Sequence, residues 1–342
     1  MLLSVFLLCL FYASATEAFY SRNNVCTDFK AYGNISKSKK CSYNPDLNSA
    51  PLLVPLCYVF STVQSVTIKS QFSTSLSLLI TIYLILLNTK ECAKYFTAFK
   101  LVDNGYDLWI PNFRGTTYSK KHVNKNISQK EYWNYSVHEI GIYDVAAIVE
   151  YVANFTERKD ISYIGHSMGT SAFTIYATER PEHARKYIKQ IIFLAPVVNF
   201  GHPPVALKIV LPYTYVIKEV VPLIVKLFPV AISVKSLVHF AQISLNNGTF
   251  QQYDYGDELN MKKYNSKTPP KYDIDKLKIP ITIFAGSHDI LSEIQDVHRF
   301  YDSLKSPKDL HTYELSHLDY MYGKDVIDVY NDILRVLKKD VK

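Results

Sequence analysis

The chain has 342 residues, 48% of them apolar and 20% charged. That is enough for one large domain with an insertion or for two small domains, and too apolar for a disordered chain. Its 38 Lys and Arg exceed its 31 Asp and Glu, for a net charge of +7. The basic residues are scattered, as on a solvated surface, which excludes the basic stripe of a nucleic-acid binder.

Residues 1–18 read as a signal peptide: Leu2–Tyr12 is an apolar run, and Ala13-Ser14-Ala15 or Thr16-Glu17-Ala18 can precede cleavage. Asn-x-Ser/Thr sequons at Asn34, Asn126, Asn134, Asn154 and Asn247 are glycosylation candidates and point to the secretory route. Removing the leader leaves Cys26, Cys41, Cys57 and Cys92, which allow three disulfide pairings. No Cys-x-x-Cys and no His/Cys cluster is present, so neither a metal nor a cofactor is expected.

Residues 19–95 form an atypical N-terminal region with no recognisable strand. Its apolar stretch at 72–88 is shorter than the roughly 20 residues a membrane-spanning helix needs. It reads as a buried helix, a strand pair, a membrane anchor, or sequence outside the fold. From Phe96 the pattern becomes regular. A helix over Phe96–Asn104 stops at Gly105, and a short strand spans Tyr106–Ile110. Val137, Ile140, Val145, Ile148, Val149 and Val152 recur at helical steps. Strands follow at Ile161–Ile164, Ile188–Pro196, Ile279–Gly286 and Leu310–Leu315, with a surface helix at Glu293–Leu304 and a last helix at Lys324–Leu337. Alternating strands and helices predict an α/β fold with a mostly parallel sheet and flanking helices. The apolar, proline-broken stretch Val197–Leu245 reads as a helical cap or as further core helices, and Phe250–Tyr272 as irregular chain.

Gly165-His166-Ser167-Met168-Gly169 follows the Ile161–Ile164 strand directly, and small residues that start a helix come next. A sharp strand-to-helix turn holds its apex residue at positive φ and needs near-absent side chains around it, which Gly165 and Gly169 supply. Ser167 is therefore the candidate nucleophile, with the Met168 N–H as an oxyanion donor. A serine needs a base, and the base needs a carboxylate that fixes its tautomer. Asp289, just past the strand ending at Gly286, and His317, just past the last strand, fall where those partners belong. His311 falls at a strand start, His298 inside a helix and His288 in a loop. Among the acids, Asp296 lies inside a helix and Asp319 follows the histidine. His166 reads as a packing residue.

The chain resembles the acid lipase family of α/β-hydrolases, which includes gastric, lysosomal acid and insect digestive lipases. The resemblance rests on Asn104-Gly105-Tyr106-Asp107-Leu108-Trp109, Asn112-Phe113-Arg114-Gly115, Glu131-Tyr132-Trp133, Tyr143-Asp144, the serine turn, Leu194-Ala195-Pro196, Phe250-Gln251-Gln252-Tyr253-Asp254-Tyr255-Gly256, Gly286-Ser287-His288-Asp289 and His317-Leu318-Asp319. It implies an α/β-hydrolase fold, divided into a core first half (96–196), a cap insertion (197–270) and a core second half (271–342). It also implies Ser167, Asp289 and His317 as a triad that hydrolyses acylglycerols or sterol esters. The expected partner is a neutral lipid or a lipid–water interface, with no nucleic acid and no obligate protein partner. The expected destination is the extracellular space or the lysosomal lumen.

The chain departs from the family in lacking its early His-Gly pair, since no glycine lies between Gly33 and Gly105. That pair adjoins one oxyanion donor in the family. Losing one such donor costs about 2.7–4 kcal/mol of transition-state stabilisation. A weak or inactive lipid-binding paralogue is therefore the competing expectation. The cap also looks short and lacks the family's cysteines.

Overall fold

The computed structural model describes residues 77–81, 100–101, 104–109, 111–116, 119–204, 232–322 and 326–339. Among these residues six strands form one sheet: β1 (Ser77–Thr81), β2 (Asp107–Trp109), β3 (Ile161–Ser167), β4 (Ile188–Pro196), β5 (Ile281–Gly286) and β6 (Lys308–Tyr313). Their order is β2-β1-β3-β4-β5-β6, and every neighbouring pair is parallel. The chain steps outward from β1 to β2, then returns past β1 and runs the other way from β3. A topological switch point therefore lies between β1 and β3, the place where an open parallel sheet binds ligands beyond its strand ends.

The 19–95 region, in which no strand was recognisable, does hold one: β1 lies in the apolar stretch at 72–88, so a strand is the one of its open readings that the fold takes up. Thr81 pairs with Gly165, so β1 ends beside the serine turn. Among the described residues no helix is long and apolar enough to cross a membrane. The expected leader, the cysteines, Asn34 and residues 205–231 of the expected cap lie outside the described residues.

The predicted helix after Tyr135 is built in three parts. Ser136 caps α1 (Val137–Glu139) through a capping box with Glu139. A π-helical segment, Ile140–Val145, follows, and then α2 (Ala146–Thr156). Gly141 explains the close approach there: a Cβ would meet Ala172 O at 2.7 Å. α3 (Met168–Glu179) leads from the serine turn, and α4 (Pro181–Tyr187) opens with proline at its first position, where no N–H is missed. Then come α5 (Val234–Leu245), α6 (Asp257–Tyr264), α7 (Ile294–Ser303) and α8 (Ile327–Lys339). α6 corrects the expectation of irregular chain across 250–272.

Both faces of the sheet are covered. On one face Ile161, Tyr163, Ile191, Phe193, Ile281 and Ile283 join the cluster that includes Val149 of α2 and Phe173 of α3. On the other, Ile164, Ile192, Leu194 and Phe284 meet Val329, Ile333 and Leu337 of α8. This two-sided burial is why the β4 sequence is a near-continuous apolar run.

Candidate active site

Three segments meet at the carboxyl edge of the sheet. Ser167 ends β3 at φ 53° and ψ −124°, a left-handed backbone that no serine adopts without support. Gly165 lets the turn close: a Cβ there would lie 2.9 Å from the Tyr163 ring and 3.3 Å from the Gly169 backbone. The turn is then pinned to β4. Thr170 Oγ1 donates to Ser167 O at 2.6 Å and accepts from Val197 N at 3.0 Å. The Met168 N–H is the first amide of α3, so no carbonyl within the helix can take it.

His317 and Asp289 come from the ends of β6 and β5. His317 Nε2 lies 2.7 Å from Ser167 Oγ, and its Nδ1 lies 2.8 Å from Asp289 Oδ2. Asp289 is buried. Its second oxygen accepts from Leu291 N at 2.9 Å and Ser292 N at 2.8 Å. Burial pushes the Asp289 carboxyl up, but the adjoining His317 and the hydrogen bonds outweigh it and hold the carboxyl below its usual range. An ionised Asp289 makes Nδ1 of His317 the donor. Nε2 is then left with a lone pair facing the serine hydroxyl, so the arrangement can draw a proton from Ser167.

The competing side chains lie outside this relay. Asp296, in α7, accepts from the His202 backbone N–H at 2.8 Å and contacts its ring at 2.9 Å. Asp319 accepts from Ser316 N and Ser316 Oγ, each at 2.7 Å. His288 and His298 are exposed. His311 lies mid-way along β6, not at its start, because the strand begins two residues earlier than expected, and its ring stacks 5.0 Å from Phe284. Asn126, Asn134, Asn154 and Asn247 are all exposed.

Two supports went unread in the sequence. His166 does more than pack, since its Nε2 lies 2.7 Å from the His317 carbonyl oxygen. Ser292 donates to Pro196 O at 2.7 Å and ties the Asp289 loop to β4. Nothing local in the sequence marks either contact, because each partner is remote in the chain. Arg114, in the turn beyond β2, is paired inside the protein with Asp144 of the π segment through its backbone N–H at 2.9 Å and Nε at 2.8 Å. Tyr135 OH also donates to Arg114 O at 3.0 Å.

The gastric triacylglycerol lipase of Mus musculus is 31% identical over 298 residues, which cover 71% of this chain and 74% of that protein. The chain belongs to the acid lipase family. The same-named protein of Rattus norvegicus is 30% identical over 298 residues, with the same coverage. A putative lysosomal acid lipase/cholesteryl ester hydrolase of Crotalus adamanteus is 29% identical over 296 residues, covering 70% of this chain and 73% of that one. The family model of the alpha/beta hydrolase fold matches residues 91–228. This acid lipase family member thus carries the α/β-hydrolase sheet, and its family is one of ester hydrolases.

Proposed function

We propose that the protein hydrolyses neutral lipid esters, acylglycerols or sterol esters, with Ser167 as nucleophile, His317 as general base and acid, and Asp289 as the group that orients His317. The observation that carries this reading is the relay from Ser167 through His317 to Asp289, at 2.7 Å and 2.8 Å. Ser167 Oγ attacks the ester carbonyl as its proton passes to His317 Nε2. The tetrahedral oxyanion forms against the Met168 N–H. His317 then gives the proton to the departing alcohol oxygen, leaving an acyl-serine that water cleaves by the same proton route. The names of the curated relatives support a lipid ester as the substrate. So does the apolar composition of Val197–Leu245, which favours an acyl chain over a peptide. The leader and the exposed sequons support passage through the secretory pathway to the extracellular space or lysosome.

The test is hydrolysis of a medium-chain p-nitrophenyl ester together with organophosphonate labelling, comparing the full chain with Ser167→Ala. Turnover and one label at Ser167, both lost in the variant, are expected. Failure of the unaltered protein on both counts refutes the proposal. Stoichiometric lipid binding without labelling would favour the inactive paralogue, which the absent His-Gly pair keeps in view.

A further inference from the structure

A catalytic histidine at the end of a loop has two placement problems. The Asp289 bond fixes the orientation of the His317 ring, but the ring's position follows from the backbone beneath it. His317 O accepts from a side chain of β3, the His166 Nε2–H at 2.7 Å, one residue before Ser167. The two imidazole rings lie 4.9 Å apart and tilted by 44°, and Tyr320 packs 6.3 Å from the His166 ring. By the two-residue period of a strand, His166 shares the sheet face of Ile164, the face on which Tyr320 and α8 pack. An apolar side chain would fill that space without the cost of burying an imidazole, a cost the hydrogen bond offsets.

We propose that His166 is a positioning residue for His317, holding the backbone of the base to the strand that carries the nucleophile. This inference rests on the roles assigned to Ser167 and His317. Burial first, and the neighbouring His317 second, lower the His166 pKa to about 3. The clamp is therefore one neutral N–H at any pH well above 3. Neutrality also matters chemically, because a charge on His166 would oppose the imidazolium that forms on His317 during attack.

The experiment compares His166→Leu, which removes the donor, with His166→Gln, whose amide N–H can reach the same carbonyl. The readouts are kcat and KM on p-nitrophenyl butyrate, the thermal midpoint, and the low-field proton resonance of the His317 Nδ1–H. A base displaced by about 1 Å costs up to ~100-fold. His166→Leu is thus expected to lose ~10- to 100-fold in kcat with KM within ~2-fold, and to shift or broaden the resonance. His166→Gln is expected to restore both. A folded His166→Leu with unchanged kcat overturns the proposal, as does equal impairment of the two variants. If the leucine variant does not fold, His166→Asn replaces it, since its shorter side chain cannot reach, and equal kcat in the asparagine and glutamine variants then overturns it. Ser167→Ala is measured alongside. Activity in that variant would sink the site assignment itself, whereas its inactivity with a fully active His166→Leu would sink only the clamp.

Discussion

Asp289→Asn separates an orienting carboxylate from a merely structural one, and the geometry dictates how the variant fails. Asp289 Oδ1 accepts two backbone N–H bonds, from Leu291 at 2.9 Å and Ser292 at 2.8 Å. An asparagine NH2 placed there would face two donors, so its carbonyl oxygen must take that position. The NH2 then points at His317 Nδ1, which has to become an acceptor. The imidazole proton moves to Nε2, 2.7 Å from Ser167 Oγ, and no base remains for the serine. A wrong tautomer of this kind costs ~10⁴-fold in kcat, about 5 kcal/mol of activation free energy. KM should change little, because substrate binding does not use the tautomer. Loss of the charge-assisted bonds should lower stability by only about 1–3 kcal/mol. Steady-state hydrolysis, the organophosphonate labelling rate and a urea midpoint measure the three quantities. A folded variant that keeps kcat within ~10-fold of the unaltered protein refutes the tautomer argument.

Gly286→Ala puts a Cβ 2.2 Å from Leu315 O and 3.3 Å from Asp289 Cβ. It should cost about 1–3 kcal/mol in the urea midpoint and lower kcat as well, since it separates the loops carrying acid and base; an unchanged midpoint would contradict that crowding. Asp144→Ala leaves the Arg114 guanidinium buried without its carboxylate. A loss of about 3–5 kcal/mol is expected by chemical denaturation, and a loss below about 1 kcal/mol would mean that water reaches the site. Thr170→Val unpairs Val197 N–H and Ser167 C=O, and should cost about 1–3 kcal/mol with a fall in kcat that exceeds any rise in KM. Burial holds His166 and His239 at about 3 and about 4. Below an unfolded value of about 6.5 the unfolded chain binds the extra protons, so stability is full above that pH and falls as pH drops towards 4, by a total of several kcal/mol. Asp289, held low, adds stability that is full above about 4 and fades only as pH falls through its folded value. Denaturation midpoints across pH 4–8 check this: His239→Gln should flatten the slope, and a flat profile in the unaltered protein would contradict it.

How much of this the sequence carries depends on what each segment packs against. β4 is legible because both its faces are buried and its apolar run has no gaps. β5 starts at Ile281 and not at Ile279 because Pro280 has no N–H to pair, although its carbonyl accepts from Ile191 N at 2.9 Å. α6 is hidden because only Asn260 of its residues is buried, so no apolar period exists to read. The π segment is hidden for another reason: it inserts a shift into the helical step, forced where Gly141 meets α3. β1 sits inside a longer apolar run in which strand and helix look alike. The serine turn and the two loop residues are legible because their chemistry needs rare residue types at fixed chain positions. His166 is half legible. Its face follows from the strand period, but the loop that returns across that face from β6 is a tertiary fact.

Those contacts share one property that accounts for the strain at the site. Ser167 is tied through Thr170 to Val197 at the end of β4, and Pro196 beside it accepts from Ser292. Ser292 belongs to the Asp289 loop, which is bonded to the chain around β6 by Ser287 N–Tyr313 O at 2.8 Å and His288 N–Leu315 O at 3.2 Å. From there His317 returns to Ser167 twice, through its ring and through the bond from His166. The hydrogen bonds therefore close a ring through β3, β4, β5 and β6. An open chain of contacts would relax wherever its backbone is least favourable. Within a closed one, neither Ser167 at φ 53° nor Ala195 at φ 47° can relax without breaking a bond elsewhere. Each such residue costs about 1–3 kcal/mol and persists only when its surroundings over-determine it. Cutting the ring at Thr170, Ser292 or His166 should thus disturb the same quantity, the placement of Ser167 Oγ against His317 Nε2, although only the last of these touches the histidine.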